Sequence, residues 1–337
     1  MATARAPHIS VVIPFYNIEG CVGYCLDSVL NQDYEGGYEV ICIDDGSTDG
    51  TGAMLDVYAK KTPVLKVRHT DNGGQSRARN YGVRHAAGDY VTFVDGDDVV
   101  SPYYLSSLAG GLRYGDNTMV AGTHRKINFT DVALASWQRP RGVDLIEKRH
   151  FVGELCYQRI LASACMRLAK RSLYLAHPFP EGRVYEDTYV ALEHVKAADS
   201  IVLVGGAIYG YVARTGSTVR PKSETMARCV QYSEAIDKFC SLAGEYFSES
   251  SDEMTVFRAT ELSRLWRRLD VVTDRPREAD ARKREARAYI KEHLGQLVSC
   301  GEVSRGNKAR FALLAANQRL YGTAFAAYDK IFRDVAR

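Results

Sequence analysis

The 337-residue sequence lacks a long apolar run and an excess of charge of either sign. No stretch reaches the roughly 18 consecutive apolar residues of a transmembrane helix. The opening "MATARAPHISVVIPFYN" enters a strand where a signal peptide would have its cleavage region. Lys and Arg number 44 against 41 Asp and Glu, so the net charge of +3 provides no overall field for binding nucleic acid. These absences predict a cytoplasmic protein that does not bind nucleic acid.

Cysteine is also scarce, at eight residues. That number in a chain this long does not form a disulfide framework, so reduced thiols in the core are expected. Cys42 lies within the apolar run "VICI", and Cys21 and Cys25 are at helical spacing, which suits neighbours on one helix face better than half of a zinc site.

A third absence concerns phosphate binding by the backbone. The first strand-to-helix turn, "PFYN", has no G-x-G-x-x-G motif, which excludes a glycine loop that cradles a pyrophosphate over the first helix. Any bound phosphate therefore needs a different partner.

Apolar runs and amphipathic segments alternate over the first 120 residues or so. "HISVVIP", "YEVICID", "VLKVRHT" and "DYVTFVD" are typical of strands, and helical patterns lie between them. This short alternation predicts an α/β domain with a mainly parallel, Rossmann-like sheet and helices on both faces. The chain after about residue 225 shows only helical patterns, so we predict one domain over residues 1–220 and a helical C-terminal domain over 221–337.

Acidic residues end two of the predicted strands, at Asp44 and Asp95. The carboxyl ends of parallel strands share one edge of the sheet, which is where such folds bind ligands. In "DGDD", Asp95 and Asp97 could together hold a divalent cation that also binds diphosphate oxygens.

Three other interpretations of these acidic residues are open. Asp, Gly, Ser and Thr are common in strand-to-helix turns that have no ligand. "DDGSTDGTG" loosely fits an EF-hand calcium loop, but an apolar β-branched run precedes it where an EF-hand needs a helix. "DGDDV" fits the motif of aspartate-nucleophile phosphatases, with Asp95 as nucleophile and Asp97 as acid/base, although that motif normally follows the first strand of its domain.

Six blocks, taken together, resemble family 2 glycosyltransferases, the GT-A-fold enzymes that use nucleotide-sugar donors. They are "VVIPFYN", "IDDGSTDGT", "NGGQSRARNYG", "GDYVTFVDGDD", "YEDTYV" and "YVARTGS". The resemblance covers about residues 8 to 220 and is strongest to bacterial enzymes that build capsule, exopolysaccharide or cell-wall glycans. It implies a hexosyl- or N-acetylhexosaminyl-transferase that uses Mn²⁺ or Mg²⁺ and most often a UDP-sugar.

The resemblance also implies a role for individual residues. Pro14 and Tyr16 would line the uridine pocket, Asp45 would accept a hydrogen bond from the uracil ring, and Arg79 would lie near the base and ribose. Asp95 would lie near the ribose and metal, with Asp97 as the principal metal ligand. Asp187 would be the general base, and its neighbour Glu186 is the other acid that matches this role. Arg214 and Ser217 would bind the diphosphate.

These expectations describe an inverting transfer of a sugar to a hydroxyl of a glycan or glycolipid. A protein that binds sugar nucleotides without turning them over is the other alternative. The basic segments after Arg264 could contact an anionic membrane and a lipid-linked acceptor on the inner face of the membrane, or they could be ordinary solvated helix faces.

Overall fold

The computed structural model of the chain describes residues 8–213 and 224–324. The strands are β1 (Ile9–Phe15), β2 (Tyr38–Asp44), β3 (Leu65–His69), β4 (Tyr90–Phe93), β5 (Val99–Val100), β6 (Thr118–Asn128), β7 (Val143–Ile146), β8 (Arg167–Lys170) and β9 (Ser200–Ala213). The helices are α1 (Glu19–Leu30), α2 (Thr51–Ala59), α3 (Gln75–His85), α4 (Tyr104–Gly111), α5 (Lys148–Cys156), α6 (Arg171–Ala176), α7 (Glu186–Ala197), α8 (Met226–Ala243), α9 (Asp252–Leu269), α10 (Pro276–Glu292), α11 (Leu294–Ser299) and α12 (Arg305–Ala316). Short 3₁₀ helices cover Leu112–Tyr114 and Phe129–Leu134, and residues 318–324 are also helical.

The N-terminal half of the sheet is parallel. β1 lies between β2 and β4 and pairs with both in parallel, and β3 pairs with β2 in parallel. Every residue of β1 is buried, which explains why "ISVVIPF" is a continuous apolar run and does not alternate. The predicted α/β fold is confirmed, and β2 and β4 end at the same edge of the sheet.

Beyond β4 the sheet becomes mixed, with strand order β3-β2-β1-β4-β8-β6-β9-β5 and with β7 paired to β9. β8 runs antiparallel to both β4 and β6, and β5 and β7 run antiparallel to β9. The strand–helix alternation that predicts parallel pairing stops after α4, so the directions of the later strands could not be predicted from it.

The chain divides into two compact units. The first comprises residues 1–148, 163–182 and 193–213 and contains the whole sheet, and the second comprises 149–162, 183–192 and 214–337. The core of the second unit is formed by helices α9 to α12. Its largest buried side chains include Trp266, Ile290, Phe311 and Tyr321.

All eight cysteines are buried and none forms a disulfide, which confirms the prediction of core thiols. Within the part of the chain that the structure covers, none of the helices combines the length and the apolar composition that crossing a bilayer demands.

Candidate active site

The candidate site is built at the carboxyl edge of β2, β1 and β4 in the first unit. Because these strands are parallel neighbours, Asp44 at the end of β2 and Asp95, two residues after β4, reach the same edge. The loop after β2 is preceded by a strand, so the EF-hand reading is excluded.

Asp45 holds the loop that leads into α3. Its two carboxylate oxygens accept hydrogen bonds from the backbone N–H groups of Gly73 at 2.9 Å and Gly74 at 2.8 Å, and the residue is only 3% exposed. Gly46 beside it has φ +75°, and a side chain there would meet the backbone nitrogen of Asn72 at 2.7 Å. The structure therefore gives Asp45 a loop-holding contact, and its contact with a uracil ring stays a prediction.

Helix α3 then connects this loop to Asp95. Oδ1 of Asp95 accepts hydrogen bonds from Nε2 of Gln75 and Nη2 of Arg79, each at 2.9 Å. The Arg79 side chain is 1% exposed, and its guanidinium lies over the Phe179 ring, 5.4 Å from the centroid. Arg79 thus orients Asp95 from the protein interior, and its contact with the base and ribose stays a prediction.

The turn after β4 is held by a second buried carboxylate, Asp98. Its Oδ2 accepts a hydrogen bond from the Tyr209 hydroxyl at 2.7 Å and its Oδ1 accepts one from the Val212 N–H at 2.8 Å. Tyr209 also accepts a hydrogen bond from the Asp95 N–H, at 3.1 Å. Burial raises the pKa of Asp98 well above its usual range, and the nearby charges of Asp95 and Asp97 raise it further.

The same turn packs tightly against β1. A Cβ at position 96 would come within 2.6 Å of the Phe15 ring, so any other residue there would force its neighbours to shift. The backbone of Asp97 is held from α1, because the Tyr24 hydroxyl donates a hydrogen bond to its carbonyl oxygen at 3.0 Å. The acidic turn is therefore fixed from α1, β1 and β9.

The end of β1 is joined to the loop after β2 by reciprocal hydrogen bonds. Asn17 has φ 50°, its side-chain oxygen accepts a hydrogen bond from the Thr48 N–H at 2.7 Å, and its N–H donates to Ser47. Pro14 is buried inside β1, opposite Ile43, whereas Tyr16 is 49% exposed. Of the two predicted pocket residues, Tyr16 is the one whose ring is open to a ligand.

Asp44 faces the neighbouring strand and not Asp95. Its Oδ2 lies 2.8 Å from Nδ1 of His69, and Nε2 of His69 lies 3.1 Å from the Asp56 carboxylate. These hydrogen bonds, first that to Asp44 and then that to Asp56, raise the pKa of His69 above its usual value. Oδ1 of Asp44 accepts a hydrogen bond from the Ser47 N–H at 3.0 Å, so Asp44 also stabilises the loop between β2 and α2.

The predicted base, Asp187, belongs to the second unit and occupies the second position of α7. Tyr185, just before the helix, has φ 63° in the left-handed region. Its ring stacks on Tyr232, with centroids 3.9 Å apart, and Arg268 lies 4.9 Å from the Tyr185 centroid. The conformation at the start of α7 is thus supported by a packed aromatic pair.

Two predicted site residues lie outside the described part of the chain, and three residues of the site were not predicted. Arg214 and Ser217 lie outside the described residues, which stop at Ala213 and resume at residue 224. Asp98 and Tyr209 were missed by sequence reasoning, although Asp98 is the last residue of "DGDD". Gln75 was missed because a glutamine at a helix start carries no distinctive pattern.

The carboxylate oxygens of the turn Asp95–Asp98 are of the kind that bind a hard divalent cation. Asp95 and Asp97 offer carboxylate oxygens, which Mn²⁺ and Mg²⁺ prefer. The described residues contain no group of three or more His, Cys, Asp or Glu side chains placed to hold a metal ion. Asp95 and Asp97 are the residues of this turn that would hold such a cation.

The chain is similar in sequence to known glycosyltransferases. The family model described as "Glycosyl transferase family 2" matches residues 10–174. The sequence is 30% identical over 227 residues to the glycosyltransferase GlyG of Streptococcus pneumoniae serotype 4, covering 63% of this chain and 73% of GlyG. It spans a smaller share of other curated relatives, such as 32% of the S. pneumoniae glycosyltransferase GlyA.

Two solved structures share the fold. S. aureus TarS (residues 1–349), in complex with UDP-GlcNAc, matches with a TM-score of 0.59 and 19% identity over 86% of this chain and 92% of that chain. The mannosyltransferase PcManGT from Pyrobaculum calidifontis, in complex with GDP-Man and Mn²⁺, matches with a TM-score of 0.57 and 16% identity over 97% of this chain and 89% of that chain.

Proposed function

The chain belongs to glycosyl transferase family 2 and is a glycosyltransferase, and we propose that it transfers a sugar from a nucleotide-sugar donor to a glycan hydroxyl with inversion at the anomeric carbon. The observation that carries the proposal is the acidic turn Asp95–Asp98 at the sheet edge, with Asp95 oriented by Gln75 and Arg79. The solved structures of similar fold were obtained with UDP-GlcNAc and with GDP-Man, which supports a nucleotide-sugar donor. We take UDP as the nucleotide.

We assign the donor side to the first unit. Tyr16 is exposed just after the end of β1, and it would contact the base together with Pro14. Asp95 would lie near the ribose and Asp97 near the diphosphate. Mn²⁺ or Mg²⁺ bound by Asp95 and Asp97 would supply positive charge that stabilises the leaving diphosphate. Arg214 and Ser217 would bind that diphosphate through charge-assisted hydrogen bonds.

We assign proton removal to Asp187. The acceptor hydroxyl gives its proton to the Asp187 carboxylate as its oxygen attacks the anomeric carbon, and the bond to the nucleoside diphosphate breaks in the same step. No glycosyl-enzyme forms. The start of α7 supports this role, because the positive end of a helix stabilises an acid as the anion that can accept a proton.

The test is Asp187→Asn. Turnover should fall about 10²- to 10⁴-fold, the usual contribution of a general base, while nucleotide-dependent thermal stabilisation persists. Glu186→Gln is the matched neighbour variant and should keep turnover. Loss of turnover in Glu186→Gln with normal activity in Asp187→Asn would show that Glu186, and not Asp187, is the general base.

The donor is identified by measuring hydrolysis of a panel of UDP- and GDP-sugars, together with thermal stabilisation by each nucleotide in the presence and absence of Mn²⁺. Stabilisation without turnover of any donor and acceptor tried would favour a non-catalytic binder. Release of phosphate from simple phosphomonoesters, with no response to nucleotides, would favour the phosphatase alternative.

We place the nucleotide-binding function in residues 1–220 and assign the helices of 221–337 to the acceptor side. Peripheral membrane contact by those helices is a separate part of the proposal. In the structure many of their cations are paired within the unit: Arg268 with Glu224 at 2.8 Å and Lys283 with Asp280 at 2.9 Å. Arg287 donates to the carbonyls of Leu314 and Ala315. This pairing reduces the charge available to a lipid surface.

A further inference from the structure

The second unit contains a polar cavity of about 370 Å³ that the glycosyl-transfer proposal does not use. It lies where the end of α5 and the turn after it meet α9 and the start of α12. The lining residues are Tyr157, Gln158, Arg159, Thr260, Arg264, Glu302, Ser304, Asn307 and Arg310. All of them belong to the second unit, so the cavity is complete within it.

Three of the lining residues come from one face of α12. Ser304, Asn307 and Arg310 are spaced three residues apart, and Ser304 is the N-cap, with its hydroxyl accepting a hydrogen bond from the Asn307 N–H. The cavity therefore opens at the N-terminal end of a 12-residue helix, where the helix dipole favours negative charge.

Arg310 brings a buried positive charge to this cavity without a hydrogen-bonding partner for it. Its Nε and Nη2 atoms are inaccessible to solvent and have no hydrogen-bond acceptor among the described residues. Burial lowers the pKa of the Arg310 guanidinium to about 10, and the charges of Arg264 and Arg267 act in the same direction. A guanidinium in this situation is poorly compensated by its surroundings.

The acids near the cavity are already paired with other cations. Arg264 binds Glu261 at 2.7 Å, and Arg159 binds Glu154 at 2.7 Å and also Glu302. These three carboxylates are thus paired with Arg159 and Arg264, and no ion pair with Arg310 is formed among the described residues. The buried hydroxyl of Thr260 also has no hydrogen-bond partner in the described part of the chain.

We propose that this cavity binds a phosphate group, with Arg310 as its principal ligand and Thr260 and the start of α12 as further donors. A phosphate oxygen pair matches the Nε–H and Nη2–H groups of the Arg310 guanidinium, and its negative charge compensates the charge of Arg310. Water alone would satisfy the hydroxyl but would leave that charge uncompensated. The group could be carried by a soluble phosphate compound or by a lipid headgroup, since both present the same oxygens.

The experiment compares thermal unfolding of the full chain in inorganic phosphate and in chloride at matched ionic strength. Phosphate should raise the Tm of the wild type progressively with concentration, as expected for a ligand that binds only the folded state. Arg310→Gln should bind phosphate about tenfold to a hundredfold more weakly, because one charge-assisted contact is lost. The control, Arg277→Gln, makes the same charge change at an exposed position of α10 that does not line the cavity, and it should respond like the wild type.

A second variant covers the case in which Arg310→Gln fails to fold. Thr260→Val keeps every charge and nearly the same volume, and it should weaken the response to phosphate. Equal phosphate responses in the wild type, Arg310→Gln and Thr260→Val would overturn the proposal, as would equal losses in Arg310→Gln and Arg277→Gln. Flotation with vesicles containing phosphatidylglycerol separates the sources. Arg310-dependent flotation identifies a lipid headgroup, and an Arg310-dependent Tm response without flotation identifies a soluble phosphate.

Discussion

The contact between Asp45 and the Gly73–Gly74 backbone makes a sharp prediction for Asp45→Asn. The substitution replaces one buried acceptor oxygen with an NH₂ group, which then faces a backbone N–H donor. One hydrogen bond to a charged acceptor is lost, worth about 1.5–3 kcal/mol, and a buried donor is left without a partner at a further cost of about 1–3 kcal/mol. With the carboxylate 3% exposed, water cannot replace the lost bond.

The two costs together are about 2.5–6 kcal/mol, which lowers Tm by about 5 to 24 °C for a domain of 150–250 residues. The assay is thermal unfolding with Asp71→Asn as control. That substitution makes the same chemical change at an exposed residue of the loop that Asp45 holds. Hydrogen exchange should also quicken at the amides of Gly73 and Gly74. A Tm for Asp45→Asn equal to that of Asp71→Asn, with both amides still protected, would refute the reasoning.

Two further predictions concern the same edge of the sheet. Because His69 has a raised pKa in the folded state, its contacts with Asp44 and Asp56 stabilise the protein fully below about pH 6.5 and lose that contribution as pH rises through the folded pKa. The Tm difference between wild type and His69→Gln should therefore shrink with rising pH, and a constant difference from pH 5 to 9 would contradict this. Gly96→Ala should cost about 1–3 kcal/mol, because its Cβ would lie 2.6 Å from the Phe15 ring. The control Gly110→Ala lies in α4 with open space around it and should stabilise by about 0.5–1 kcal/mol, so equal Tm changes in the two variants would disprove the packing argument.

For the acidic residues at the strand ends, the sequence predicted their position in the sheet but not their hydrogen-bond partners. Asp44 and Asp95 were correctly expected at one edge, because each follows an apolar run and the strand–helix alternation implies parallel pairing. Which acid faces which partner was not predictable. Asp45 meets a loop 28 residues later and Asp98 meets Tyr209, 111 residues later, and no local pattern encodes contacts at such separations.

For the second unit, the sequence predicted the helical structure but not which segments of the chain make up the unit. A helical domain after about residue 225 follows from helical periodicity, and the helices α8 to α12 confirm that the region is helical. The segments 149–162 and 183–192 also belong to that unit, and their composition does not predict that they pack with it. The cavity around Arg310 likewise joins side chains from three separate stretches of chain.

The sequence by itself determined the α/β fold, the family and the acidic edge of the sheet, because apolar periodicity and short ordered motifs are properties of neighbouring residues. Only the tertiary structure decided that Asp45 holds a glycine loop, that Arg79 is buried against Asp95, and that Arg310 is left with an unmatched charge. The physical reason is that hydrogen bonding, burial and charge balance depend on groups that folding brings together from distant parts of the chain.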